Sequence, residues 1–107
     1  MNTLTIIVPC FNEADVLVDF ISTVNLQTHE LPLIKKYLLI NDGSTDDTLD
    51  IMKNLSETFD NIFYLSFSRN FGKEAAILAG LEASDSDFVT IMDADLQDPP
   101  FLLSEMY

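Results

Sequence analysis

Apolar positions along the chain fall into two alternating rhythms. Leu4 to Val8 is a short, continuous, largely β-branched run and reads as a first strand. From about Glu13 the spacing changes. Leu17, Phe20, Ile21 and Val24 recur at helical intervals and predict a helix with one buried face. Pro32 lies in the loop that follows, and Tyr37 to Ile40 reads as a second strand. Ser44, with Asp47 three residues on, has the form of a capping box and predicts a second helix with Leu49, Met52 and Leu55 as its buried stripe. Ile62 to Phe67 is a third strand. Gly72 precedes a third helix whose inner face is small: Ala76, Ala79, Gly80 and Ala83. Phe88 to Met92 is a fourth strand, and Pro99-Pro100 opens a last helix.

Strands separated by helices pair in parallel through crossover connections. The continuous apolar runs are those of strands covered on both faces. The expected fold class is therefore α/β: a Rossmann-like, mainly parallel sheet with helices on both faces, one domain over residues 1–107. Ligands of such sheets bind beyond the carboxyl ends of the strands. The first strand ends in Pro9-Cys10-Phe11-Asn12-Glu13 and the second in Asn41-Asp42-Gly43-Ser44. The third ends in Ser68-Arg69-Asn70, the fourth in Asp93-Ala94-Asp95-Leu96-Gln97-Asp98. If the strands are parallel, all four clusters reach one edge, where random surface decoration would scatter them to two.

Composition narrows the function classes. The chain has 107 residues, 48% of them hydrophobic, enough for one small core. Cys10 is the sole cysteine, which excludes an intramolecular disulfide framework and a Cys-rich zinc site. No apolar run is long enough for a transmembrane helix, and the N-terminus lacks the pattern of a signal peptide. The formal charge of −13 disfavours nucleic acid as a partner. An anionic substrate would need a local remedy, either a divalent cation or Arg69 and Lys73.

Each cluster has a functional and a structural reading. Asp93 and Asp95 follow a buried strand, and two carboxylates so spaced can turn toward one cation. Hard oxygen donors suit Mg2+ or Mn2+, which complete their shells with phosphate and water. Gln97 offers a neutral oxygen nearby. An isolated D-x-D is also an ordinary turn. Asp42 can accept hydrogen bonds from a nucleobase or ribose, or can belong to a plain turn beside Gly43. Glu13 suits the positive end of a helix dipole, and Phe11 can pack in the core or stack on a base. Arg69-Asn70-Phe71-Gly72-Lys73 places two cations and a glycine at a helix start, an anion site or simply surface charge. The P-loop and G-x-G-x-x-G spacings are absent. His29 reads as solvent-exposed, and Cys10, with no histidine near in sequence, as a packing residue.

Taken together, Pro9 to Glu13, Asn41 to Asp46, Ser68 to Lys73 and Asp93 to Pro100 resemble family 2 glycosyltransferases of the GT-A fold. The Arg-Asn-Phe-Gly-Lys and Asp-Ala-Asp-Leu-Gln-Asp-Pro-Pro versions are most similar to the polyprenyl-phosphate glycosyltransferases. The resemblance implies that Pro9, Phe11, Glu13 and Asp42 line a nucleoside pocket, with Asp93 and Ala94 against the ribose and diphosphate. It implies Asp95 and Gln97, with Asp93, at a Mg2+ or Mn2+ ion, and Arg69 and Lys73 near the diphosphate. Asp93 and Asp95 would then be the catalytic pair. The implied reaction is inverting transfer from a UDP- or GDP-linked sugar to a polyprenyl phosphate at the cytoplasmic face of a membrane.

In that family the acceptor-side segments come later than Tyr107, so the expectation is an N-terminal, nucleotide-sugar-binding part, inactive alone, with uncovered apolar surface able to form a homo-oligomer. Two other classes compete. One is a non-catalytic nucleotide-sugar sensor. The other is a magnesium-dependent phospho-acceptor domain, which would need paired acidic residues after its first strand, where this chain has Pro-Cys-Phe-Asn-Glu.

Overall fold

The computed structural model describes residues 2–94. Strands and helices alternate: β1 (Asn2–Cys10), α1 (Leu17–Thr28), β2 (Leu33–Asn41), α2 (Thr48–Thr58), β3 (Ile62–Ser66), α3 (Lys73–Ala83) and β4 (Phe88–Ile91). The four strands form one sheet in the order β3-β2-β1-β4. Every neighbouring pair is parallel, with Ile6 beside Tyr37 and Thr90, and Leu39 beside Tyr64. The expected α/β, Rossmann-like sheet is therefore present.

Side chains alternate across the sheet. Leu4, Ile6, Val8 and Cys10 of β1 face α1 and α2, where Leu17, Phe20, Ile21, Val24, Met52 and Leu55 close the larger core. Ile7 of β1, with Leu38 and Ile40 of β2, faces α3 and meets Ala76. Helices thus lie on both faces. The fully buried Tyr37 keeps its hydroxyl satisfied by donating to Asn25 Oδ1 at 2.6 Å.

The small inner face of α3 has a measurable reason at one position. A Cβ on Gly80 would stand 2.6 Å from Ile7 Cγ2, so the helix lies closer to β1 than any larger residue permits. Ala76 and Gly80 are buried, whereas Ala79 is half-buried and Ala83 exposed, so the small stripe is narrower than predicted.

Four other expectations shift. The first strand and the second strand run longer than their apolar cores, because residues at both ends join the ladder. The first helix starts at Leu17 rather than near Glu13, because Glu13 O accepts from Val16 and Leu17 N–H in a preceding turn. Ser44 does not cap α2. The helix begins at Thr48, Asp46 accepts from the Thr48 N–H at 2.9 Å, and Ser44 Oγ accepts instead from the Asn12 N–H. Nor is coverage of the strands complete: Phe88, Val89 and Ile91 of β4 are exposed. Pro99-Pro100 and the last expected helix lie outside the described residues. Among the described residues no helix is long and apolar enough to cross a membrane.

Candidate functional site

β1 is the strand from which the sheet grows both ways, to β2 on one side and β4 on the other. Such a switch point is where open α/β sheets leave a crevice. Pro9 sharpens it. The carbonyl of Ile7 accepts from Met92 N on the β4 side, and that of Cys10 accepts from Asp42 N on the β2 side. Successive backbone groups alternate, so position 9 faces β4, where proline has no N–H to give. The β1–β4 ladder ends two residues before Pro9, at Ile7 and Ile91. Beyond it the strands part.

A cleft of about 230 Å³ opens at this point, lined by Pro9, Cys10, Phe11, Glu13, Asp42, Lys73 and Asp93. Pro9, Phe11, Glu13, Asp42, Lys73 and Asp93 are six of the residues singled out from sequence. They come from the ends of β1, β2 and β4 and from the start of α3, which the chain separates widely. Asp42 and Asp93 share one rim.

Three loops are tied together to make that rim. Asn12 takes a left-handed backbone, φ 55°, which asparagine tolerates better than most residues. Its side-chain Oδ1 then accepts from Thr45 N at 2.8 Å and Asp46 N at 3.3 Å. Glu13 N donates to Thr48 Oγ1 at 2.9 Å. The end of β1 is thus stapled to the entry of α2.

The second tie joins β2 to α3. Asp42 is buried, and its carboxylate accepts from Phe71 N at 2.8 Å through Oδ1 and from Gly72 N at 3.1 Å through Oδ2. These are the amides of the N-cap residue of α3 and of the residue just ahead of it. Gly43 makes the approach possible. Its φ is +70°, and a Cβ there would fall 2.2 Å from the Arg69 carbonyl carbon. Gly72, at φ 102°, ends the loop and N-caps α3.

Lys73, the first residue of α3, reaches back to Asp93, with Nζ 2.7 Å from Oδ1. Arg69 takes another course. It is exposed, does not line the cleft, and stacks 4.7 Å over the ring of Phe71, which meets Phe67 edge-on. Cys10 is buried. Burial first, then the Glu13 and Asp93 carboxylates, push its thiol far above the ordinary range, so it remains a protonated packing residue at neutral pH. His29 is exposed, its ring nitrogen 3.1 Å from Leu26 O.

Ala94 is buried beside the cleft's Asp93, while Asp95 and Gln97 lie outside the described residues. Among the described residues no three acidic, cysteine or histidine side chains converge into a complete metal cage. Asp93 nevertheless suits a hard divalent cation: it is a carboxylate at the crevice that already draws an ammonium group into contact.

Asn12 and Gly43 stood in the polar clusters without these roles, and Thr48 was passed over. Their work is to hold loops together across the sheet edge. The one local signal was an asparagine beside Glu13, ahead of a helix.

Comparison with known proteins adds a family. The model described as glycosyl transferase family 2 matches residues 5–107. The chain is 44% identical over 102 residues to CsbB of Bacillus subtilis (strain 168), covering 95% of this chain and 31% of that one. It is 41% identical over 96 residues to the bactoprenol glucosyl transferase of Shigella phage SfV, covering 90% and 31%. The chain thus spans about a third of the length of these relatives. Among solved structures, the mannosyltransferase PcManGT from Pyrobaculum calidifontis, in complex with GDP-Man and Mn2+, superimposes with a TM-score of 0.75 at 24% identity over 92% of this chain and 33% of that one. That likeness is one of fold.

Proposed function

The chain belongs to glycosyl transferase family 2, and from that premise we propose that its cleft binds the nucleoside diphosphate of a UDP- or GDP-linked sugar for transfer to a polyprenyl phosphate. The observation that carries the reading is the meeting of Pro9, Phe11, Glu13, Asp42, Lys73 and Asp93 in one crevice at the switch point of the sheet. The lipid acceptor is supported by similarity to a protein named for bactoprenol glucosylation.

Each residue has a part. Phe11 offers an exposed ring on which a base can stack. Asp42 fixes the loop at 71–72 with one lone pair of each oxygen and keeps others for a ribose hydroxyl. Glu13 adds a further acceptor on the same wall. Lys73 brings positive charge to the diphosphate, and Arg69, on the adjacent loop, adds to the local field. Asp93, with Asp95 and Gln97, would hold Mg2+ or Mn2+, which stabilises charge on the departing nucleoside diphosphate. In the inverting reaction a phosphate oxygen of the acceptor attacks the anomeric carbon. The bond from that carbon to the diphosphate breaks, and its electron pair leaves on the diphosphate. An acceptor phosphate is already anionic at neutral pH, so the chain need not supply a strong base.

The test is calorimetric titration of the chain with UDP-glucose and GDP-mannose, with and without Mn2+, together with transfer of labelled sugar to undecaprenyl phosphate by the protein. Metal-dependent binding of one nucleotide class, weakened about tenfold or more by Asp93→Asn, is expected. Failure of both nucleotide sugars to bind in the presence of metal would sink the reading. Transfer to a polysaccharide but not to the lipid phosphate would overturn the acceptor alone.

A further inference from the structure

Glu13, Asp42 and Asp93 place carboxylates around a cleft meant for an anion, in a chain of formal charge −13. Lys73 is the cation among the lining residues. Its Nζ lies 2.7 Å from Asp93 Oδ1, and its side chain is 57% exposed against 24% for Asp93. The carboxylate belongs to the wall, and the ammonium reaches it from outside.

The backbone under Lys73 is fixed. The two preceding amides are held by Asp42, and Lys73 itself opens α3. A lysine stem has four carbons and several rotatable bonds, so Nζ can change position while its Cα stays in place. Asp93 meanwhile is wanted twice. Its oxygen is in contact with an ammonium, and it is the described member of the proposed metal set. A divalent cation and an ammonium cannot share one carboxylate oxygen at contact distance without strong repulsion.

We propose that Lys73 exchanges partners, holding Asp93 until a divalent cation takes that carboxylate and then carrying its charge to the donor's diphosphate. The identity of that anion rests on the function proposed above. The contact keeps Asp93 oriented and compensated, and its release delivers a positive charge only after the metal has arrived. Metal and donor would then bind in a favoured order, metal first.

The exchange makes two affinities move in opposite directions when Lys73 is removed. Binding of Mn2+ alone, followed by loss of the free-ion electron paramagnetic resonance signal, should become about two- to fivefold tighter in Lys73→Met, since a partly exposed competitor is lost. Binding of UDP or GDP at saturating Mn2+ should become about tenfold weaker. Lys73→Arg, which keeps the charge, should retain most of the nucleotide affinity. Circular dichroism melts of both variants establish that the fold survives.

If the unaltered chain binds Mn2+ and a nucleotide but Lys73→Met shifts both in one direction, or leaves Mn2+ binding alone unchanged, the exchange is wrong and the donor reading stands. If the unaltered chain binds no nucleotide with Mn2+ present, both fall.

Discussion

On one face of the sheet, α1 and α2 bury Phe20, Ile21, Leu17, Val24, Met52 and Leu55 against β1 and β2. On the other, α3 meets Ile7, Leu38 and Ile40 with Ala76 and Gly80. The first face is thick and apolar. The second is thin, and the Asp42 carboxylate also holds the backbone at the start of its helix. Bulk burial scales with area and is non-directional, whereas a carboxylate accepting from two amides constrains both distance and direction. Stability therefore concentrates on the first face and placement of the site on the second.

The largest expected effect tests the thick face. Phe20 is fully buried, and Phe20→Ala should cost about 3–5 kcal/mol, read as a lowered midpoint in urea. Nucleotide affinity of the fraction that remains folded should hardly change. A large loss of affinity in that fraction would show that the division between faces is false.

The thin face gives a smaller and more local effect. In Asp42→Asn one acceptor becomes a donor and confronts the N–H of Phe71 or Gly72. The cost should be about 1–3 kcal/mol. Amide exchange at residues 71–76 should accelerate more than exchange in α1, and nucleotide binding should fall with it. Uniform acceleration across the chain would place Asp42 in the general fold rather than in the positioning of α3.

The smallest effect concerns the loop staple on the first face. The Thr48 hydroxyl, followed by the Thr48 and Ala14 amides, holds Asp46 below its ordinary pKa. A carboxyl whose folded pKa is depressed contributes stability above its unfolded value near 3.8, and the contribution is lost as pH falls through the folded value. Asp46 is exposed, so only a slight stability slope below about pH 4 should disappear in Asp46→Asn. Unchanged acid unfolding in that variant would remove Asp46 from the list of loop ties.

Much of this was readable in the residues. The four strands showed as continuous apolar runs, and their shared direction brought Asp42 and Asp93 to one rim. The ties between loops were not readable. Ser44 and Asp47 have the local form of a helix cap, yet Ser44 serves Asn12, more than thirty positions away. Local pattern cannot rank a nearby partner against a distant one when both offer the same hydrogen bond. Arg69, open in the sequence between an anion site and surface charge, was likewise not decided by local pattern. The ring of Phe71, two residues on, takes its guanidinium outside the cleft lining. The start of the first helix shifted because Asn12 bends the chain left-handed, a choice made by amides on another loop.

The missing methyl at Gly43 has a consequence for kinetics. With the turn after β2 lying against the backbone of residues 69 and 70, no side chain intervenes as a cushion, and the two segments must travel as one body. That side of the cleft should therefore not hinge within itself. Once the metal is in place, the donor should arrive with an association rate that depends on ionic strength and scarcely on backbone rearrangement of this side of the cleft.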